Sequence, residues 1–527
     1  MRKIVLIAAV AAALAGAAHT SRAGQAPRVA VPQQDIVGQR IEGESPMRVS
    51  GAGMRGTAEY AIEIGADGRV LSARQNARPH EPPAPAAVLA AVRAWRFLPF
   101  TLDGAPITAV GAVHVEYLPG ERSADPAAPF PSVDYDRLRI VLERTPCFGW
   151  CPAYRVEISG NGAVRLTTQP TGSRTNPNFR PILVPGEHVW RIPQADVEAL
   201  VERFRAARFF GLDDRYAAQV SDAPDTTLVF ASGRSSKSVL DRVGELVGMP
   251  DAVTALQDAV DNAAGIDRFV RGSADTAAAL AARGFDFASE EATRILLAAD
   301  DRAPEALYLD FLARGVPLDR PFAEENAAAM PLGRLLLERA VRRGQVRLFA
   351  SLADRGWLER VPDGELGRWF VQHGSGCEEA IAEALVRAGA SPRGRAGEDG
   401  WGVFHMLVRR PSFCDRRVPE EVRAFAAALV RLGADPNLRD NHGSPPLFYS
   451  QDLGHTQMLL ALGARPDVAG PDGPAILWTH DDRIALTLLR AGANPRVAKE
   501  DGATLRSEAM EKGLIGTLRW LDEHRIP

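Results

Sequence analysis

The chain has 527 residues, 46% of them hydrophobic, with 62 basic and 66 acidic side chains and a formal net charge of −4. That length exceeds what one hydrophobic core supports and predicts roughly three or four domains. The near balance of charge lacks the concentrated basic surface that nucleic-acid binders use, so no nucleic-acid partner is expected. Short runs such as Arg409-Arg410 and Arg416-Arg417 read as solvated faces.

Residues 1–23 read as a signal peptide. Arg2 and Lys3 precede an apolar run from Ile4 to Ala18, and Ser21-Arg22-Ala23 supplies small residues at alternate positions, predicting cleavage after Ala23. The run is short for a membrane span, and no later stretch approaches the roughly 20 apolar residues that spanning requires. No cysteine stands near the site to carry a lipid. The expectation is a periplasmic protein with no stable membrane anchor. Residues 24–50 are polar and irregular, and they read as a linker.

The next unit covers residues 51–120. TAEYAIEIGADGRVLSARQ alternates apolar and polar residues on both sides of Asp67-Gly68, which predicts a hairpin because the turn needs φ > 0. Pro85 opens a helical run, AAVLAAVRAWRF, and PITAVGAVHVEY supplies a third strand, giving the order β-β-α-β. The D-G-R-V hairpin, the A-V-R-x-W-R-F-x-P helix end and D-G-x-P before the last strand make this unit similar to the C-terminal domain of TonB-type energy transducers. Arg93, Trp95, Phe97, Pro99, Gly104 and Pro106 carry that likeness. In that family the domain pairs a strand edge with a peptide of an outer-membrane receptor. The resemblance therefore implies edge-strand pairing with a peptide or a second copy, although the long proline-rich arm and inner-membrane helix of the transducers are missing here.

Residues 134–268 predict an α+β domain. LRIVLER and YRVEISGNGAVRL read as strands, the latter turned at Gly160-Asn161-Gly162, and Gln194 to Phe210 and Pro250 to Ala264 have helical periodicity. Its mark is TPCFGWCPAY, which resembles an uncharacterised family of exported bacterial domains sharing C-F-G-x-C-P-x-Y. As metal ligands Cys147 and Cys151 lack further cysteine or histidine within thirty residues, so no metal is expected. As a redox pair they depart from C-x-x-C spacing and are flanked by strands. A structural disulfide needs only an oxidising compartment, and Phe148 and Trp150 between them read as packing residues.

Residues 276–527 carry a repeat, clearest over 428–524. LVRLGADPNLRDNHGSPPL, LLALGARPDVAGPDGPAIL and LLRAGANPRVAKEDGATL place glycines at Gly433, Gly463 and Gly492, spaced by 30 and then 29 residues, each at a helix C-terminus where a left-handed cap is needed. Pro445 and Pro474 fall just inside the following helix. This phrase resembles the ankyrin repeat, which implies an all-α solenoid of capped helix pairs with a long concave surface. Earlier units end at Gly284, Gly315, Gly356 and Gly389 with looser spacing. Cys377 and Cys414 lie in the longest insertion, and a bond there would contribute roughly 4 kcal/mol on the chain-entropy model.

No catalytic or cofactor signature occurs: G-x-S-x-G, H-E-x-x-H, a phosphate loop and a dinucleotide fingerprint are all missing from the sequence. His405 sits where an ankyrin unit places a histidine that bonds loop backbone. Asp213-Asp214, Asp222 and Asp225 read as loop residues. The expected protein is a multidomain, non-enzymatic, cofactor-free scaffold that binds a protein partner. The turns Asp435 to Asn441, Arg465 to Asp472 and Asn494 to Asp501 are its candidate surface, with Arg465, Asp467, Arg496 and Lys499 directed to solvent. Two alternatives stay open: a thiol-dependent redox or envelope-stress enzyme using Cys147 and Cys151, and an accessory role in TonB-linked outer-membrane transport.

Overall fold

The computed structural model describes residues 26–49, 55–76, 84–102, 104–147, 151–168, 182–299, 303–322, 329–373, 377–409, 414, 419–471 and 473–527. The expected signal segment 1–23, Phe148, Trp150 and Asp472 lie outside them. The described chain is mixed α/β, with two sheet units followed by a helical region, and three hydrophobic cores divide it accordingly.

The first unit is built on a long strand. In chain order it comprises β1 (Arg28–Ala30), α1 (Gln33–Gly38), β2 (Met47–Val49), β3 (Gly56–Ile64), β4 (Val70–Gln75), α2 (Ala86–Ala94) and β5 (Thr108–Pro119). β3 buries Ala58, Tyr60, Ile62 and Ile64 on one face, as its alternation requires. It pairs antiparallel with both β4 and β5. Gly68 holds φ 76° in the hairpin, and a Cβ there would sit 1.9 Å from the Phe97 carbonyl oxygen, so no other residue fits. α2 stops where Trp95 turns extended, which drops Trp95 and Phe97 into the core.

The expected linker is a correction. β1 lies parallel to the start of β5, Arg28 opposite Thr108, and β2 lies parallel to its end, Met47 opposite Tyr117. Val29, Val31, Ile36, Met47 and Val49 are all buried. A few apolar side chains in a polar stretch thus enter the core because β5 offers them its second edge. On the other side of the sheet, among the described residues, β4 pairs with β3 alone.

The second sheet has seven strands: β6 (Arg139–Arg144), β7 (Tyr154–Ser159), β8 (Ala163–Thr168), β9 (Glu187–Arg191), β10 (Arg215–Ala217), β11 (Thr226–Ser232) and β12 (Ser235–Arg242). Their spatial order is β9-β8-β7-β6-β11-β12-β10, antiparallel except for the β10–β12 pair. α3 (Gln194–Ala206) and α4 (Asp251–Ala264) pack on each other, and α4 also lies against β6 and β7.

Beyond residue 276 one continuous core runs from Ala277 to Leu521 through successive helices. Gly433, Gly463 and Gly492 hold φ of 101°, 93° and 97°. The uniform helix pairs expected here need a correction. Pro446–Tyr449 and Ala475–Leu477 are single 3₁₀ turns, and full helices follow only at Leu453–Ala461 and Asp482–Arg490. Asp452 and Asp481 explain it. Each accepts a backbone N–H as an N-cap, His455 and Arg483 respectively, and so starts the second helix within a few residues of the turn. Pro445 and Pro474 accordingly stand immediately before the turns.

The first unit is seated on the last helices. The Asp482 carboxylate accepts from Gly516 N (2.6 Å), Thr517 N (2.7 Å), Thr517 Oγ1 (2.6 Å) and, across the junction, Ala30 N in β1 (3.3 Å). Arg483, 4% exposed, is bound between Asp481 (2.8 Å) and Asp35 of α1. Leu486 belongs to the first unit's core and not to that of its own helical neighbours.

Candidate functional site

The motif TPCFGWCPAY is the connection between β6 and β7. Cys147 and Cys151 are bonded, S–S 2.04 Å, and close the connection so that Arg144 and Tyr154 stand opposite each other at the mouth of the hairpin. α4 supplies Asp261 across them. Arg144 Nε donates to Tyr154 Oη (2.9 Å), its Nη1 to Thr226 Oγ1 (3.3 Å) and its Nη2 to Asp261 Oδ2 (3.1 Å). The Tyr154 hydroxyl donates to the Asp261 carboxylate, 2.8 Å from either oxygen.

This network forms the floor of a cavity of about 550 Å³, whose walls include Cys151, Asp258, Asn262 and Arg271. Burial, reinforced by the Asp261 carboxylate, pushes the Tyr154 hydroxyl far above its ordinary range, so the ring stays neutral and acts as a donor. Burial also pushes the Asp261 carboxyl up, and the Arg144 guanidinium pulls part of that back. For Arg144 burial works against the charge, but Tyr154 and Asp261 together outweigh it and hold the guanidinium charged. The phenol is neutral, the carboxylate accepts from both Arg144 and Tyr154, and the cysteine pair is bridged, so these groups hold one another in place. Sequence reasoning passed over Tyr154 and Asp261. The tyrosine was visible as the last residue of the cysteine motif, whereas Asp261 comes from a helix more than a hundred residues on.

The other predicted residues lie elsewhere. Cys377 and Cys414 are bonded, Cα to Cα 5.9 Å. Among the turn residues, Arg465 and Arg496 are exposed. Asp467 is also exposed, yet its carboxylate accepts the Asn494 N–H (2.7 Å) and ties one turn to the next. Asn437 ties the preceding pair in the same way, donating to Gly463 O and accepting from Arg465 N, both at 2.9 Å. Lys499 does not point into solvent. Its side chain is 17% exposed, 2.7 Å from Glu508 and 4.1 Å from the Trp478 ring centre, because the stacked indole and the buried carboxylate outbid water.

His405 is fully buried. Its Nδ1 accepts from Gly402 N (3.1 Å) and its Nε2 faces Ser444 O (3.0 Å), bonds to loop backbone at both ends. The loop acids are partnered: Asp213 with Arg122, Asp214 with Lys237, Asp225 with Arg242. Among the described residues no group of acidic, histidine or cysteine side chains is arranged to hold a metal ion, and no helix is long and apolar enough to cross a membrane.

Fold and site together define a multidomain mixed α/β protein whose middle sheet carries a bridged, network-floored cavity. A family model described as a domain of unknown function (DUF6438) matches residues 138–264, the stretch that contributes Arg144, Tyr154 and Asp261. No curated protein matches the chain.

Proposed function

We propose that the chain is an exported interaction scaffold, in which an ankyrin-type helical array presents a ridge of turns to a protein partner and the TonB-like first unit offers β4 as a strand edge. The observation that carries this reading is the turn-to-turn staple. Asn437 and Asp467 lock successive turns through backbone bonds, so the ridge is rigid while Arg465 and Arg496 stay exposed on it. A preformed surface of varied polar side chains on a repeated apolar frame is what such arrays use for recognition. Export is supported by the apolar leader in the sequence and by the pairing of all four cysteines in two bonds. Among the described residues one strand borders β4, and its other edge is the one offered for pairing.

The test is affinity capture from envelope extract with the protein lacking residues 1–23, wild type against Arg465→Glu/Arg496→Glu. Both side chains are exposed, so the fold is expected to survive and recovery of the wild-type partner to fall at least about tenfold, the scale of desolvated rim charges. Equal recovery by the folded double variant would remove the ridge as the recognition surface.

A further inference from the structure

A line of aromatic side chains crosses the helical region beside the stapled turns. Trp401 lies 6.3 Å from Tyr449, Tyr449 5.3 Å from Phe448, and Phe448 6.2 Å from Trp478, ring centre to ring centre. The two 3₁₀ turns make this line possible, since each ends in aromatic residues at the same place in its unit, Phe448-Tyr449 and Trp478. Tyr449 is fixed by its hydroxyl, which donates to Asp440 Oδ2 (2.6 Å), and by the edge of His405. Trp478 keeps 40% of its surface exposed.

Each end of the line carries a cation. The Arg409 guanidinium lies 4.8 Å from both the Trp401 and the Tyr449 ring centres, is exposed, and has no carboxylate partner among the described residues. Two rings tilted 53° to each other hold the guanidinium by its charge, and its planar N–H fork suits a bidentate carboxylate acceptor. At the other end Lys499 stands over Trp478, and Lys499 and Lys512 share the single Glu508 carboxylate. The Trp401 indole N–H, in the same cluster as Arg409, is buried without an acceptor.

We infer that this line is the docking site for an extended acidic peptide segment of a protein partner, one that places a carboxylate on Arg409 and an aromatic or aliphatic side chain over Phe448 and Trp478. Side chains on one face of an extended strand recur every second residue, roughly 6.6 Å apart. That repeat is close to the 6.3 and 6.2 Å outer steps of the line, the inner step being 5.3 Å. An acid-x-aromatic pattern therefore fits the line, and a basic segment is repelled at the Arg409 end. The assignment rests on the scaffold reading and adds the chemistry of the partner.

The probes are Ac-Glu-Ser-Phe-Ser-Glu-NH2 and Ac-Lys-Ser-Phe-Ser-Lys-NH2, titrated into the protein lacking residues 1–23 with calorimetry and tryptophan fluorescence. The acidic probe is expected to bind at least about tenfold tighter than the basic one and to weaken as salt rises. Arg409→Gln and Trp478→Ala are each expected to weaken it about tenfold, while Arg409→Lys, which keeps charge but not the planar fork, lies between. Unchanged thermal midpoints keep these variants interpretable. The inference is overturned by equal or tighter binding of the basic probe, by no binding of either at millimolar concentration, or by affinity indifferent to Arg409→Gln and Trp478→Ala in folded protein. Partner capture that depends on Arg465 and Arg496 while the acidic probe fails to bind would remove the aromatic line alone. Failure of both would remove the scaffold reading as well.

Discussion

Replacing Arg483 with methionine tests whether the first unit and the last helices form one body. Arg483 is 4% exposed and its guanidinium holds two carboxylates, Asp481 through Nε (3.2 Å) and Nη2 (2.8 Å), and Asp35 across the junction. Methionine keeps most of the side-chain volume and removes the charge, so packing is nearly conserved and the electrostatic loss dominates. Both carboxyls are already pushed up by burial, with Arg483 as the main opposing influence. Without it burial pushes each carboxyl up further, so each must take up a proton or stay charged and unpaired, and the expected destabilisation is about 3–5 kcal/mol. Equilibrium urea unfolding reads the global loss. Hydrogen exchange by mass spectrometry localises it, and faster exchange is expected in residues 28–38 and 482–523 with little change in residues 139–168. Asp481→Asn added to Arg483→Met is expected to recover part of the loss because one stranded charge is gone. An Arg483→Met midpoint indistinguishable from wild type would place the contact with exposed pairs worth no more than about 1 kcal/mol and would refute the claim of a fixed junction.

Further outcomes are expected. Gly463→Val and Gly492→Val meet no atom within 4 Å, so their cost is conformational alone, about 1–2 kcal/mol each, read as a lower thermal midpoint. Tyr154→Phe removes the donor to Asp261 and the acceptor of Arg144 Nε inside a half-closed cavity, which is expected to destabilise by about 1–3 kcal/mol in urea unfolding. Removing the Cys377–Cys414 bond, which spans 37 residues, is expected to cost about 4 kcal/mol on the chain-entropy model, measured by urea unfolding of Cys377→Ala/Cys414→Ala against wild type, both without reductant. The Asp482 carboxyl is raised by burial above its ordinary 3.8, against the pull of Thr517 and Gly516. Its contribution to stability is therefore fully present below pH 3.8 and lost as pH rises through the raised value, so Asp482→Asn is expected to flatten that part of the stability-against-pH curve.

Local signals explain which elements were legible. The Asp67-Gly68 turn, the alternation of β3 and the run of α2 are all written within a dozen residues, and the chain follows them. β1 is three residues long and pairs with Thr108–Val110, some eighty residues later, so no window around Arg28 contains its partner. The same separation hid the cavity. Arg144 and Tyr154 flank a visible motif, but Asp261, which binds both, sits on an ordinary amphipathic helix. Lys499 reads as a polar turn residue until Trp478 and Glu508 are brought to it by the neighbouring unit. The short 3₁₀ turns were not legible because Pro445 and Pro474 read as helix starts, while the aspartate caps at Asp452 and Asp481, which begin the next helix, lie outside the repeated phrases.

The seating of β1 and α1 on Asp482, Arg483 and Leu486 also sets the order in which the molecule can be completed. The Ala30–Asp482 bond closes 452 residues of chain. At ribosomal speeds of about 5–20 residues per second, Asp482 is made roughly 20–90 s after the first strand that it binds. The unit synthesised first thus cannot complete its core until Leu486 is made, and Val29, Ile36 and Trp95 belong to a cluster that lacks one member until then. Truncation anywhere before residue 482 then leaves a defect at the opposite end of the sequence, and a nascent chain stalled in that interval exposes apolar surface that a chaperone can recognise.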